Sequence, residues 1–208
     1  MSTVAEHPSS TSAPPAPAPA GDPAILGLPI FAVGSVALGL ALVGYVPAAA
    51  AASALPIIMA ATGLGLIVSA IWAAALGQTM VACIFGLFSG FWWSYAALVL
   101  GLNHNWFAIP AGDVQHSVAL FQISWAVVMA ALTIATLRLP RAFTAVVGLV
   151  VLALILLIIG TLGPNDTFTK LAGYVTLAFA ALGGYLFLGA ASVATGGAPY
   201  PLGDPILR

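Results

Sequence analysis

The sequence predicts an all-α membrane protein in which six transmembrane helices form a compact bundle. Three observations carry that expectation. No Asp, Glu, Lys or Arg occurs between Pro23 and Gly112. Hydrophobic residues make up 62% of the chain and charged residues 4%, with a mean hydropathy of +1.15, a composition suited to lipid rather than water as solvent. The later charges, Asp113, Arg138, Arg141, Asp166, Lys170, Asp204 and Arg208, fall at junctions between apolar runs, so they let the spans be counted.

Each span follows from those breaks. The first apolar run extends from Ala24 to Val46 and stops at Pro47; the second covers Ser53–Leu76 after an alanine stretch. Gly77-Gln78 makes a tight turn into a third run, Thr79–Leu102. A polar loop with His104, Asp113 and His116 follows, then a fourth run, Val118–Leu137, closed by Arg138-Leu-Pro-Arg141. The fifth, Phe143–Leu162, is almost purely aliphatic, and Gly163–Asp166 with Lys170 separates it from the sixth, Leu171–Ala194. A span needs about 20 apolar residues, so six occupy most of the 208 residues. Only helices or closed barrels satisfy the backbone in lipid, and these runs lack the two-residue alternation of a barrel.

The expected organisation is therefore a disordered Pro/Ala/Ser-rich tail over 1–22, a transmembrane domain over 23–195 and a short C-terminal tail over 196–208. The N-terminal segment lacks the basic start and apolar core of a signal peptide. Arg138, Arg141 and Arg208 lie on one side of the membrane and Lys170 on the other, which favours a cell-membrane protein with both termini in the cytoplasm.

Several chemistries find no support in this pattern. No ionisable residue lies deep within a span, so a fixed intramembrane proton relay is not expected. There is no zinc-protease, dinucleotide or phosphate-loop motif, no basic patch for nucleic acid and one cysteine, Cys83. An enzyme is not expected, nor a cofactor or metal; His104, Asp113 and His116 read better as a solvated loop than as ligands. Cys83, within an apolar run, suits a small packed residue. Span glycines such as Gly34, Gly39, Gly63 and Gly183 suit close helix packing or a pore lining, and Ser94, Gln122 and Thr176 suit interhelical hydrogen bonds. Phe31, Phe85, Phe88, Phe91, Trp92, Trp93 and Tyr95 concentrate aromatic surface in the first and third spans, where some rings could narrow a pore by dewetting.

Asp22-Pro-Ala-Ile-Leu-Gly-Leu28 resembles the Asn-Pro-Ala-Pro-Leu-Gly-Leu signature of the acetate uptake transporters, also called succinate–acetate permeases. Phe88-Ser-Gly-Phe-Trp-Trp-Ser94 is similar to the family's aromatic third helix. Trp125 and Ala135-Thr-Leu-Arg138 are similar to its fourth, Leu156-Leu-Ile-Ile-Gly160 to the end of its fifth, and Ala172-Gly-Tyr174 with Tyr185-Leu-Phe-Leu-Gly189 to its sixth. The resemblance runs in order from Asp22 to Gly203.

It implies a homo-hexamer with a central pathway through each protomer, and uptake of acetate or a related short carboxylate by a channel-like or proton-coupled route. It places a hydrophobic neck at Phe31, Phe88 and Val150, where Phe88 stands for a tyrosine and Val150 for a leucine. Asp22, Leu26 and Gly27 then shape the entrance, and Ser89 and Thr79 are candidate substrate contacts. The chain departs from the family at Asp22 (family Asn), Ile25 (Pro), the Ala73-Ala-Ala-Leu76 end of the second span and Ala190 (Glu). The residues themselves leave two alternatives open: a passive pore for urea, an amide or ammonia, and a non-transporting scaffold using the Pro-rich tail as a partner site.

Overall fold

The computed structural model describes residues 21–163 and 165–208; the expected disordered tail lies outside them except for Gly21 and Asp22. Six apolar spans are present. The regular helices are α1 (Ala24–Val43), α2 (Leu64–Ala75), α3 (Thr79–Asn103), α4 (Val114–Ala135), α5 (Arg141–Leu162) and α6 (Asp166–Ala194), and no strand occurs among the described residues.

Helix ends follow local chemistry. Gly44 ends α1 in a left-handed conformation (φ 87°), with Tyr45 N–H donating to the Leu40 carbonyl and Gly44 N–H to that of Ala41. Gly77 (φ 70°) repeats the device after α2, as Gln78 N–H reaches the Ala73 carbonyl. Both are the paired C-terminal bonds that glycine permits without steric cost. Asn165 caps α6, its Oδ1 accepting from Thr167 N–H at 2.9 Å.

Three boundaries differ from the sequence reading. The second span starts at Ala48 and is not a regular α-helix. It opens as a 3-10 segment, Ala48–Ala54, passes through a π-helical segment, Ile57–Gly63, and becomes α-helical only as α2. Pro56 stands at the change. It has no amide to donate and its ring crowds the preceding turn, so the ladder must change register there. The fourth span begins at Val114, which places His116 in the first turn of α4 rather than in the loop, and the sixth begins at Asp166.

Irregular backbone at membrane depth is tolerated only where protein covers it, and here α1 and α3 do so. Thr62 Oγ1 donates to the Ile30 carbonyl at 3.2 Å, and Ser89 Oγ donates to the Gly63 carbonyl at 2.9 Å. Elsewhere α1 packs on α6, α6 on α5, α4 on α5 and α2 on α3. The α1–α6 seam is close because Gly39 faces Leu177 and Gly173 faces Leu42 and Val43, leaving no room for a Cβ at either glycine. Cys83 corrects the sequence reading: it is exposed on α3. A membrane helix is apolar all round, so a hydrophobic setting does not mark the inward face.

Candidate functional site

The helices α1, α3, α5 and α6 surround two cavities in line. The larger, about 240 Å³, is walled by Leu28 and Phe31 of α1, Ile84, Phe85 and Phe88 of α3, Val147 of α5 and Leu186 of α6, with Asp22 and Leu139 at its rim. The smaller, about 20 Å³, is walled by later residues of α1, α3 and α5, including Leu38, Trp92 and Val150, and by earlier residues of α6, Thr176 and Phe179. That progression shows α6 running antiparallel to the other three.

Phe31 and Phe88 belong to both walls. Their rings meet edge to face with centroids 4.9 Å apart, a favourable quadrupolar geometry, and both are buried. Val150, also buried, lines the smaller cavity, one turn beyond Val147 of the larger. The structure thus brings Phe31, Phe88 and Val150 to one boundary region. Sequence reasoning missed Phe179, whose ring lies 5.7 Å from that of Phe31. It also missed the seat that Gly183 makes for Phe31, where a Cβ would lie 3.1 Å from the ring. Neither is signalled by sequence, because contact across α1 and α6 needs the rotation of both helices.

At the rim, the exposed Asp22 accepts a hydrogen bond from Ala24 N–H at 2.9 Å, which sets its carboxylate on the positive end of the α1 dipole. Gly27 is buried beneath Phe85, with no space for a Cβ. Leu26 is partly buried and lies outside the cavity lining. The C-terminal tail folds back beside this rim. Ala142 N–H donates to the Leu202 carbonyl at 3.0 Å, Ile206 and Leu207 N–H donate to that of Leu137, and Arg141 Nε donates to the Asp204 carbonyl at 2.8 Å.

Ser89 and Thr79 fall outside both linings. The Ser89 hydroxyl is engaged by Gly63, and Thr79 is exposed at the start of α3. Polar span residues divide by use. Trp125 Nε1 donates to Ser94 Oγ at 3.1 Å and Gln122 Nε2 to Thr161 Oγ1 at 3.0 Å, joining neighbouring helices. Thr176 Oγ1 donates instead to its own helix, to the Ala172 carbonyl at 2.8 Å. No group of three metal-ligating side chains forms among the described residues. The His104 ring stacks on that of Trp106 at 5.7 Å.

Fold and site together define a multi-pass α-helical membrane protein with an apolar, two-chambered axis pinched between aromatic rings. The profile of the GPR1/FUN34/yaaH family matches residues 5–200. The chain belongs to that family, which is the acetate uptake transporter family whose motifs the sequence resembles. A solved structure of the bacterial acetate channel SatP is similar to it, with a TM-score of 0.78 at 24% identity, covering 89% of this chain and 100% of that chain. That likeness establishes a shared fold. No curated protein matches the sequence significantly.

Proposed function

We propose that this protein carries acetate or a related short-chain carboxylate across the cell membrane. The solute passes the neck of Phe31, Phe88 and Val150 as its neutral, protonated acid and leaves by the mouth at Asp22. The observation that carries this reading is the chamber pair joined at Phe31 and Phe88, in which Asp22 at the rim is the one ionisable wall residue. An ion stripped of water in such surroundings faces a prohibitive desolvation cost, whereas a neutral acid does not, and an apolar neck excludes hydrated ions by dewetting. The similar solved protein is named as an acetate channel, which agrees with this solute class.

On this reading a proton crosses with each acid molecule without any relay residue in the protein. Asp22 and the α1 amides shape the cytoplasmic mouth, while Leu26 and Gly27 belong to the α1 end there, Gly27 against Phe85 of α3. Assembly as a homo-hexamer belongs to the same proposal; exposed apolar residues such as Ile71 on α2 and Leu120, Val127 and Ile134 on α4 supply outer faces for lipid or neighbouring protomers. So does a cytoplasmic placement of both termini, supported by the arginines around the larger chamber's rim.

The test is radiolabelled acetate uptake into proteoliposomes at pH 5.5 and 7.5, with and without an imposed pH gradient. Carboxylic acids titrate near pH 4 to 5, roughly as Asp and Glu side chains do, so the neutral fraction, and with it uptake, rises as pH falls. Uptake that does not depend on pH would overturn passage as the neutral acid. The alternative, a passive pore for urea, an amide or ammonia, draws on the same charge-free walls. Urea flux without acetate flux would establish it.

A further inference from the structure

Beyond the neck, the smaller chamber has eleven wall residues. Nine carry hydrocarbon side chains only; Trp92 and Thr176 supply the only polar side-chain atoms. Trp92 is 1% exposed, yet its indole N–H has no acceptor among the described residues. Native proteins rarely leave a buried donor in that condition without a use for it. Thr176 is equally buried, also at 1%. Its hydroxyl proton is committed to the Ala172 carbonyl, which leaves the oxygen's lone pairs as acceptors. Trp92 and Thr176 are thus the one donor-bearing and the one acceptor-bearing side chain in a wall otherwise of hydrocarbon. Its volume, about 20 Å³, is on the scale of the roughly 10 to 15 Å³ that one water requires, so a carboxyl group enters as the surrounding side chains yield.

We propose that this chamber is a selectivity site for the carboxyl group of a short, protonated carboxylic acid. Trp92 Nε1–H donates to the acid's carbonyl oxygen, and Thr176 Oγ1 accepts the acid's O–H. No bond is made or broken, and the acid leaves with its own proton. The inference rests on the acid-permeation reading above and adds a residue-level basis for choosing the neutral form. A carboxylate anion has acceptors only, so at Thr176 it is paired only if the hydroxyl gives up its bond to the Ala172 carbonyl, and its charge meets a wall without a counter-charge. An ammonium ion has donors only and offers Trp92 nothing. None of the eleven wall residues is ionisable, so the pH dependence of occupancy follows the acid itself.

The test is ¹H–¹⁵N spectroscopy of the full-length, indole-¹⁵N-labelled protein in lipid nanodiscs, with the Trp92 signal assigned by its loss in Trp92→Phe. Acetate is titrated at pH 5.0 and at pH 8.0, with acetamide as a second probe. At pH 5.0 the Trp92 resonance moves saturably with the acetic acid present, while Trp93, a partly buried indole whose N–H is also without a partner, does not respond. At pH 8.0 equal total acetate leaves Trp92 unmoved. No response at pH 5.0 overturns the site, as does an equal response at pH 8.0 or a response to acetamide alone. Trp92→Phe and Thr176→Val each lower acetate uptake at pH 5.5 about tenfold, the scale of one buried hydrogen bond, and Trp93→Phe does not. Wild-type acetate uptake with a silent Trp92 signal overturns the selectivity site and leaves the transport reading standing. A lack of wild-type uptake overturns the transport reading itself.

Discussion

Gly183 on α6 forms the floor beneath Phe31 on α1: a Cβ at Gly183 would lie 3.1 Å from the Phe31 Cδ1 and 3.3 Å from its Cε1. The ring has little freedom to retreat. Phe88 meets it at 4.9 Å on one side and Phe179 at 5.7 Å on another. Gly183→Ala therefore presses Phe31 toward its aromatic neighbours and tightens the neck. Acetate uptake is expected to fall several-fold. Stability should change little, because alanine favours a helix over glycine by about 1 kcal/mol, which offsets the crowding. Uptake and thermal melting of the purified variant check both halves, and unchanged uptake would remove Gly183 as a determinant of neck width.

Val150 lies where the smaller chamber meets the aromatic pair. Val150→Trp adds a bulky ring to that space and is expected to block uptake while leaving assembly intact. Uptake and size-exclusion chromatography of the same preparation test it; normal flux in correctly assembled protein would sink the neck assignment.

Gly27 has the Phe85 ring directly against its Cα, so a Cβ would lie 2.7 Å from the Phe85 Cε2. Phe85 in turn is a wall of the larger chamber, whose space lets the ring yield. Gly27→Ala should push the ring inward and lower uptake, and Gly27→Ala combined with Phe85→Leu should restore it. The double-variant cycle gives a non-additive coupling if the two sites act through this contact; additive losses would refute it.

Ser89 separates a structural from a substrate role. Its hydroxyl supports the π-helical segment through the Gly63 carbonyl at 2.9 Å, so Ser89→Ala leaves that carbonyl without its partner. The expected loss is about 1 to 3 kcal/mol of stability, read as a lower melting temperature, with the ranking of permeant acids unchanged. A shifted ranking at unchanged melting temperature would instead make Ser89 a substrate contact.

Charge and punctuation made much of this architecture legible before any coordinates. Arg138 and Arg141 mark the α4–α5 junction because a charge in hydrocarbon is costly. Gly77-Gln78 marks the tight α2–α3 turn because glycine alone enters its left-handed geometry freely. The motif from Asp22 to Leu28 located the start of α1, and the aromatic run from Phe88 to Trp92 holds rings of the chamber walls, whereas the neighbouring Trp93 packs outward against Gly63. The second span was less transparent: its alanines and Pro47 suggested a connection, whereas Ala48–Ala54 is already the first part of the span. Where Pro56 interrupts the ladder, the neighbours α1 and α3 decide which irregular helix results.

The sequence by itself determined the solvent of this protein, the number of its spans and its family, because each depends on composition and on residues close together along the chain. Which face of each helix turns inward was decided only by tertiary packing. Cys83 on the outside, Phe179 against Phe31 and the unpartnered indole of Trp92 beside Thr176 all depend on helix rotation. In a soluble helix, polar residues mark the outer face and so reveal that rotation. In lipid both faces are apolar, and it is set instead by close contacts such as Gly39 against Leu177 and Gly183 against Phe31.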